Sequence, residues 1–176
     1  RVRGFDGDAW TRSGRYQAGA LAIDGLRLDV FSDKRLPARP DPARHRSPQG
    51  WLRTAPLALR IDTIAVHGSI SYRERGAESG MIGEVRFEEL TASLADLATG
   101  AGTAARPVRF LATARLMGMA PLQVYAQLPR TPGFELTWSG RLGAMPAAGL
   151  NPMLIAVSDF AFEEGEIDWV EFEVDT

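Results

Sequence analysis

Apolar and polar residues alternate along several stretches of the chain. Leu26, Leu28 and Val30 share one parity, and Arg27 and Asp29 occupy the positions between them. Because successive side chains of a β-strand point to opposite faces of a sheet, this period of two predicts half-buried strands. The same alternation recurs in three further stretches, whose apolar positions are Ile64, Val66, Ile70 and Tyr72, then Phe110, Ala112, Ala114 and Leu116, and then Phe134, Leu136 and Trp138.

The spacing of these stretches indicates a fold class. The predicted strands follow one another at intervals of roughly 8 to 12 residues and are separated by Gly and Pro, which is typical of β architectures without helical crossovers. We therefore expect a mostly β fold, an antiparallel meander of repeated hairpins that forms a curved open sheet, a groove or a sandwich. Helix-like spacing occurs only at residues 145–155, where Pro146 suits a first helical turn. One short helix or irregular turn is expected there, joining a strand that ends near Leu142 to one that begins near Val157.

A change of composition interrupts the alternation at residues 36–56. This stretch has no apolar period and combines arginines with Pro37, Pro40, Pro42, Pro48 and Pro56. Such a composition predicts a Pro/Arg-rich internal loop. Residues 1–176 are otherwise interpreted as a single β-rich segment of a larger protein.

A short phrase recurs along the chain. Residues 23–28 read IDGLRL, residues 61–66 read IDTIAV, and residues 87–92 read FEELTA as a looser copy. In each phrase the apolar parity shifts after the acid, which predicts a β-bulge that turns the strand. The second phrase continues through Gly68, Ile70 and Tyr72, and residues 160–169 repeat that order, so both stretches are interpreted as one hairpin unit. Gly68 and Gly165 are expected to supply a turn or a close backbone approach. Stacked units of this kind favour a repeat array, whereas ordinary β alternation with turn glycines is the alternative.

These phrases, together with residues 83–90 (GEVRFEEL), residues 150–152 (LNP) and the apolar stretch at residues 160–169, resemble the AsmA-like proteins of Gram-negative bacteria. The resemblance covers residues 16–174 and rests on degenerate motifs. It implies a large envelope protein, anchored by an amino-terminal transmembrane helix, whose repeated β units curl into a groove with an apolar lining. It further implies a periplasmic location and a role in outer-membrane biogenesis and lipid transport between membranes. It supplies no catalytic residues, and the loop at residues 36–56 is not part of its pattern.

Composition and charge narrow the remaining classes of function. The chain contains no cysteine, which excludes disulfides and thiolate chemistry. Its net charge of -2 disfavours a dedicated nucleic-acid-binding protein. No apolar run approaches the roughly 20 residues that a membrane span needs. The acidic residues from Asp159 onward have no Lys or Arg among them, and their alternation with apolar residues predicts the solvated side of strands.

No pattern of catalytic or metal-binding residues emerges, so we expect a non-enzymatic protein without a metal or a cofactor. His45 lies in the Pro-rich loop, whereas His67 shares a strand face with Ser69 and is expected to face solvent. Neither serine nor glycine positions reproduce a nucleophile elbow, a phosphate loop or a dinucleotide fingerprint. A hydrolase on a β scaffold is therefore the weakest alternative.

The leading expectation is an apolar surface that serves as core or groove lining and contacts phospholipid or other acyl chains, or other segments of the same protein. The principal alternative is a carbohydrate- or peptide-binding β-sandwich module, in which aromatic residues such as Trp10 and Trp51 stack on the ligand. The predicted lining residues are Leu59, Ile64, Val66, Ile70, Tyr72, Trp138, Phe160, Phe162, Ile167 and Trp169.

Overall fold

The computed structural model describes residues 1–37, 52, 55, 57–99, 106–129, 136–158 and 160–175, although the side chains of residues 9, 10, 13 and 175 are outside the description. Strands account for 62% of the structure. Within these described ranges the strands are β1 (Val2–Arg3), β2 (Tyr16–Asp33), β3 (Leu59–Arg75), β4 (Ile82–Ala98), β5 (Val108–Leu116), β6 (Ala120–Leu128), β7 (Thr137–Leu142), β8 (Met145–Pro146), β9 (Glu166–Ile167) and β10 (Val170–Asp175).

The main sheet is open and has eight strands in the order β1-β2-β3-β4-β5-β6-β7-β10. Strands β2, β3 and β4 have 18, 17 and 17 residues, so they are much longer than the predicted 8 to 12-residue spacing allows. All neighbouring pairs are antiparallel except β2 and β3, which run in the same direction. The prediction of a mostly β, mostly antiparallel open sheet with a short helix is confirmed.

The parallel pair departs from a meander, because parallel neighbours cannot be joined by a tight turn and need a crossover connection. The chain between Asp33 and Leu59 makes this connection, and it contains the whole of the Pro/Arg-rich loop predicted at residues 36–56. Most of that loop, including His45 and Trp51, lies outside the described residues. Leu52 is described and is buried.

The helices whose bounds lie within the described residues are short. The first is α1 (Gly7–Ser13), which precedes β2. After β8, a 3-10 helix η1 (Ala147–Leu150) leads directly into α2 (Asn151–Ser158). The helix predicted between residues 145 and 155 is therefore confirmed, and so is the strand that ends at Leu142. The following strand does not begin near Val157, because α2 continues through Ser158 and the chain returns to the main sheet only at Val170.

Neither predicted hairpin unit is a hairpin. Gly68 lies inside the single strand β3, and residues 160–169 form a loop followed by the two-residue strand β9, which pairs with β8. Gly68 nevertheless makes the expected close backbone approach, since a Cβ added to it would lie 2.0 Å from the carbonyl oxygen of Leu26. Gly165 has the positive φ of 120° that a turn requires.

The predicted bulges occur in two of the three repeated phrases. In β2 the step from Ile23 to Leu26 pairs with the shorter step from Val66 to Gly68, and in β4 an extra residue separates Phe87 from Leu90. Glu89, at the second bulge, has a φ of 51°. The phrase at residues 61–66 keeps its register with both neighbouring strands, so the prediction is wrong there.

Candidate functional site

The main sheet has one face that is almost entirely apolar from β2 to β10. Because directly paired residues point to the same side of a sheet, the strand registers identify the members of this surface, which we call the apolar face. Its residues are Leu21, Ile23, Leu26, Leu28, Val30, Ile64, Val66, Ile70, Tyr72, Val85, Phe87, Leu90, Ala92, Leu94, Val108, Phe110, Ala112, Ala114, Leu116, Ala120, Leu122, Val124, Ala126, Leu128, Trp138, Leu142, Val170, Phe172 and Val174.

The two bulges keep this face continuous. A strand with a strict period of two would place Ile23 and Leu28 on opposite sides, since they are an odd number of residues apart. The extra residue at Asp24–Gly25 restores both to the apolar face, and the bulge at Glu89 does the same for β4. Gly68 lies between the bulged strands, where any side chain would collide with the backbone of Leu26.

One part of the apolar face is packed beneath the segment that contains β8, η1, α2 and β9. Leu116, Ala120 and Leu142 of the sheet form a buried cluster with Met145, and Ile167 packs against it. We call this region the covered part. Its further members are Val85, Phe87 and Leu122 on the sheet and Met117 and Leu150 beside it.

The helix α2 is held against the sheet at several points. A Cβ on Gly83 would lie 2.9 Å from both Met153 Cα and Ala156 Cβ, so only a glycine lets the helix approach this closely. The hydroxyl of Ser79 donates a hydrogen bond of 2.6 Å to the carbonyl of Ala156. At the start of the helix, Asn151 Nδ2 donates to the Phe162 carbonyl at 2.8 Å, and the Phe162 amide donates to Asn151 Oδ1 at 2.9 Å. These contacts fix the covering segment.

The rest of the apolar face, which we call the open part, exposes large side chains to solvent. Its centre is a cluster of Leu90, Ala92, Ala112 and Ala114, buried beneath their larger neighbours. Around this centre the exposed fractions are 38% for Ile23, 44% for Leu28, 38% for Val30 and 37% for Trp138. Residues of this size on one continuous sheet face normally pack against a second layer. In the described structure these side chains are instead left accessible to solvent.

The structure brings half of the predicted lining residues together. Ile64, Val66, Ile70, Tyr72 and Trp138 all lie on the apolar face, and none of them belongs to its buried residues. The other predicted residues lie elsewhere. Leu59 points to the opposite face, and Phe160 and Phe162 form an edge-to-face pair in the loop before β9. Ile167 packs against the covered cluster, and Trp169 lies outside the apolar face with 55% of its surface exposed.

The buried centre of the open part was not among the predicted lining residues. Leu90, Ala92, Ala112 and Ala114 come from β4 and β5, where alanines carry a weaker apolar signal than the branched residues of β3. The alternation of Phe110, Ala112, Ala114 and Leu116 was available as a sign of this centre.

The opposite face, which we call the polar face, is mostly polar and carries ion pairs along β4. Arg86 bonds to Glu84 at 3.1 Å and to Glu88 at 2.9 Å, while the Ser71 hydroxyl donates to Glu84 at 2.8 Å. The Ser71 hydrogen bond, followed by those from Arg86, holds the pKa of Glu84 below its usual value. The two carboxylates raise the pKa of Arg86. The single guanidinium of Arg86 is thus shared by the two carboxylates on either side of it along β4.

Other polar residues agree with their predicted places. His67 is exposed on this polar face, with Nδ1 3.3 Å from Thr91 Oγ1. In β10, Glu171 and Glu173 point to the polar side while Val170 and Phe172 point to the apolar side, as the alternation predicted. Within the described ranges, no group of three His, Cys, Asp or Glu side chains could hold a metal ion.

A shallow depression of about 480 Å³ lies mainly on the polar face of β5, β6, β7 and β10. Tyr125, Arg141 and Glu171 are among its lining residues. Near it, the Arg141 guanidinium lies 5.5 Å from the ring centre of Trp169. This is the part of the described structure that relates most directly to the carbohydrate or peptide alternative. The side chains of Trp10 and Trp51, on which that alternative was based, lie outside the description, as does Phe134.

Comparison of the chain with protein-family models, with characterised proteins and with solved structures gives no match. In the portion of the chain that the structure describes, no helix is both long and apolar enough to cross a membrane.

Proposed function

We propose that this chain is a non-enzymatic β-rich segment of a larger AsmA-like protein of the bacterial envelope, and that its open part accommodates the acyl chains of lipids. The observation that carries the proposal is the exposure of large apolar side chains on one continuous sheet face, between 37% and 44% for Ile23, Leu28, Val30 and Trp138. The location belongs to the same proposal: an apolar surface of this kind would work on the periplasmic side of the envelope, between the two membranes.

The energetics of an acyl chain suit such a surface. Removing a methylene group from water contributes about 0.8 kcal/mol, so a chain lying across several strands gains affinity without specific polar contacts. The other side of the sheet is the mostly polar face, which can remain solvated while the apolar face contacts lipid. A scaffold of this design needs neither a catalytic residue nor a cofactor, and its partners would be phospholipid and neighbouring segments of the same protein.

The position of Trp138 provides a direct test. A lipid with brominated acyl chains quenches the fluorescence of a tryptophan that it contacts, and among the described side chains Trp138 is the tryptophan that lies on the apolar face. We expect brominated phospholipid to quench part of the tryptophan emission of the purified chain. That quenched fraction should disappear in Trp138→Phe and persist in Trp169→Phe, whose altered residue lies outside the apolar face. Equal quenching in both variants would contradict the proposal.

Adjacent residues of β3 give a second test with a matched control. Ile64 lies on the apolar face, while Thr63 is exposed on the opposite face. Ile64→Gln should weaken binding of the unbrominated lipid about fivefold or more, since it removes contact with one or two methylene groups. Thr63→Gln should leave the affinity unchanged. Circular dichroism of both variants checks that the sheet is retained, and native mass spectrometry of the unmodified chain identifies lipid that co-purifies.

The second candidate function, a carbohydrate- or peptide-binding module, is favoured by the polar-face depression. Tyr125 lines it with 39% of its surface exposed, and aromatic rings of this kind stack on sugars. A glycan-array signal that is lost in Tyr125→Ala and retained in Trp138→Phe would favour this candidate. The absence of any signal, combined with quenching at Trp138, would leave the lipid proposal as the better explanation.

A further inference from the structure

The outer edge of β2 has two different halves. Near its start, the edge is occupied by β1 and the residues around it: the amino terminus of Arg1 donates to the Ala22 carbonyl at 2.7 Å, and the Ala22 amide donates to the Arg1 carbonyl at 2.8 Å. Beyond the bulge at Asp24–Gly25, β2 continues to Asp33 with no other described strand on the side away from β3. Within the described residues, the backbone groups on this side of the second half pair with no strand, and such an edge is the usual site for adding a further strand.

The sequence of this free edge is complementary to itself. If a second copy of β2 is placed antiparallel to the first with Leu28 opposite Leu28, each Arg27 faces the Asp29 of the other copy. On the apolar face, each Leu26 then faces the Val30 of the other copy. Opposite charges placed directly across two strands stabilise a sheet, and so do apolar pairs. A register centred on Arg27 or on Asp29 would instead place two like charges opposite each other.

The backbone geometry supports the same register. Ala22 lies on the polar face and turns both of its backbone groups away from β3, as its bonds to Arg1 show. Arg27 and Asp29 lie on the same face beyond the bulge, so their backbone groups also point outward. An axis at Leu28 therefore makes each Arg27 and Asp29 a hydrogen-bonded pair. The two Leu28 residues become a non-hydrogen-bonded pair, in which the side chains are closer together.

The side chains on this edge are free to take part. Neither Arg27 nor Asp29 has an ion-pair or hydrogen-bond partner elsewhere in the described structure. Leu28 and Val30 are 44% and 38% exposed. Phe31, which is 50% exposed, would lie opposite Gly25 of the other copy, where the space around the missing side chain is open.

From these observations we propose that two copies of the chain associate by antiparallel pairing of their β2 edges about a two-fold axis at Leu28. The interface is isologous and closes after two copies. It joins the two apolar faces into one surface that extends across both sheets. The association does not depend on lipid binding, because it uses the edge of the sheet and not the open part around Trp138.

Cysteine cross-linking tests the register. The chain has no cysteine, so a single introduced thiol reports on one position. Residues in a non-hydrogen-bonded pair have Cα atoms about 4.5 Å apart, which is compatible with a disulfide. Leu28→Cys should therefore form a disulfide-linked dimer rapidly under mild oxidation. Val30→Cys is the matched control, since four residues of offset separate its two copies by about 14 Å along the strand. Equal rates of cross-linking for the two variants would overturn the proposal.

Exchanging the charges of Arg27 and Asp29 tests the same interface in solution without cross-linking. Sedimentation velocity of the full chain should show a concentration-dependent dimer. Arg27→Asp should raise the dissociation constant about tenfold or more, because two cross-strand ion pairs become like-charge pairs. Asp29→Arg should have the same effect, and the double variant Arg27→Asp/Asp29→Arg should restore dimerisation. A chain that stays monomeric at every concentration, or a double variant no better than the singles, would exclude the pairing. Either result leaves the quenching test at Trp138 unaffected.

Discussion

The covered part and the open part of the apolar face arise from the same alternation of residues, yet they differ in what lies above them. Leu116 and Leu142 of the covered part are each 8% exposed beneath the segment that follows β7, whereas Leu28 and Val30 of the open part are 44% and 38% exposed. An alternating pattern specifies which way a side chain points. Whether that side chain is then buried depends on contacts with residues far away along the chain.

The largest expected effect comes from deleting a side chain in each part. Leu116→Ala should lower the free energy of unfolding by about 3 kcal/mol, since it leaves a cavity beneath Met145. Ile23→Ala, at a site that is 38% exposed, should lower it by only about 1 kcal/mol. Urea denaturation followed by circular dichroism measures both. Equal losses would mean that the open part is packed in solution and would remove the distinction between the two parts.

A smaller effect is expected where the covering helix touches the sheet. Gly83→Ala introduces a Cβ 2.9 Å from Met153 and Ala156 and should cost about 1–2 kcal/mol, because α2 must move away. Gly19→Ala is the matched control in another strand, since its nearest neighbour would be 3.8 Å away. Gly83→Ala should also increase the binding of an apolar dye, as the covered part becomes accessible. A variant that unfolds at the same urea concentration as Gly19→Ala would show that α2 does not depend on this contact.

The sequence predicted the direction of side chains better than their surroundings. The period of two placed Ile64, Val66, Ile70 and Tyr72 on one face, and the shifted parity of two phrases located real bulges. The parallel pairing of β2 with β3 could not be read from that period, because a strand alternates in the same way whichever direction its neighbour runs. The long interval between these strands was the available sign, since a tight hairpin does not need it.

The wrong assignment of residues 160–169 has a different cause. Apolar residues at alternate positions suggested strands, but the Asn151 side chain bonds to both backbone groups of Phe162 and holds the loop beside the start of α2. A contact of this kind between residues 11 positions apart leaves no periodic signal. The buried alanines of β4 and β5 were missed for a related reason. The small side chain of alanine gives a weak apolar signal in the sequence, and its burial depends on larger neighbours from other strands.

The smallest expected effect concerns charge beside the covered part. Asp33, at the end of β2, accepts hydrogen bonds from Arg35 and lies 3.6 Å from Arg75 Nε. The hydrogen bond from Arg35 is the main cause that lowers the Asp33 pKa to about 2. Because this value is below the roughly 3.9 of an unfolded chain, the ionised carboxylate stabilises the fold above pH 4, and that contribution is lost as the pH falls from about 4 to 2.

Asp33→Asn should therefore reduce stability at pH 7 and flatten the dependence of the thermal midpoint on pH between about 4 and 2. Asp62→Asn is the control, since Asp62 pairs with Arg60 at a site where both side chains are more than half exposed. An exposed pair of that kind contributes little, so the control should follow the unmodified chain.

Because Arg75 immediately precedes Gly76, which packs against Ala156, loss of the Asp33 charge should also loosen α2. Hydrogen exchange at pH 7 should therefore be faster in α2 of Asp33→Asn and unchanged in the strands of the open part. Uniformly faster exchange would show that the two parts unfold together, and would limit their difference to solvent exposure alone.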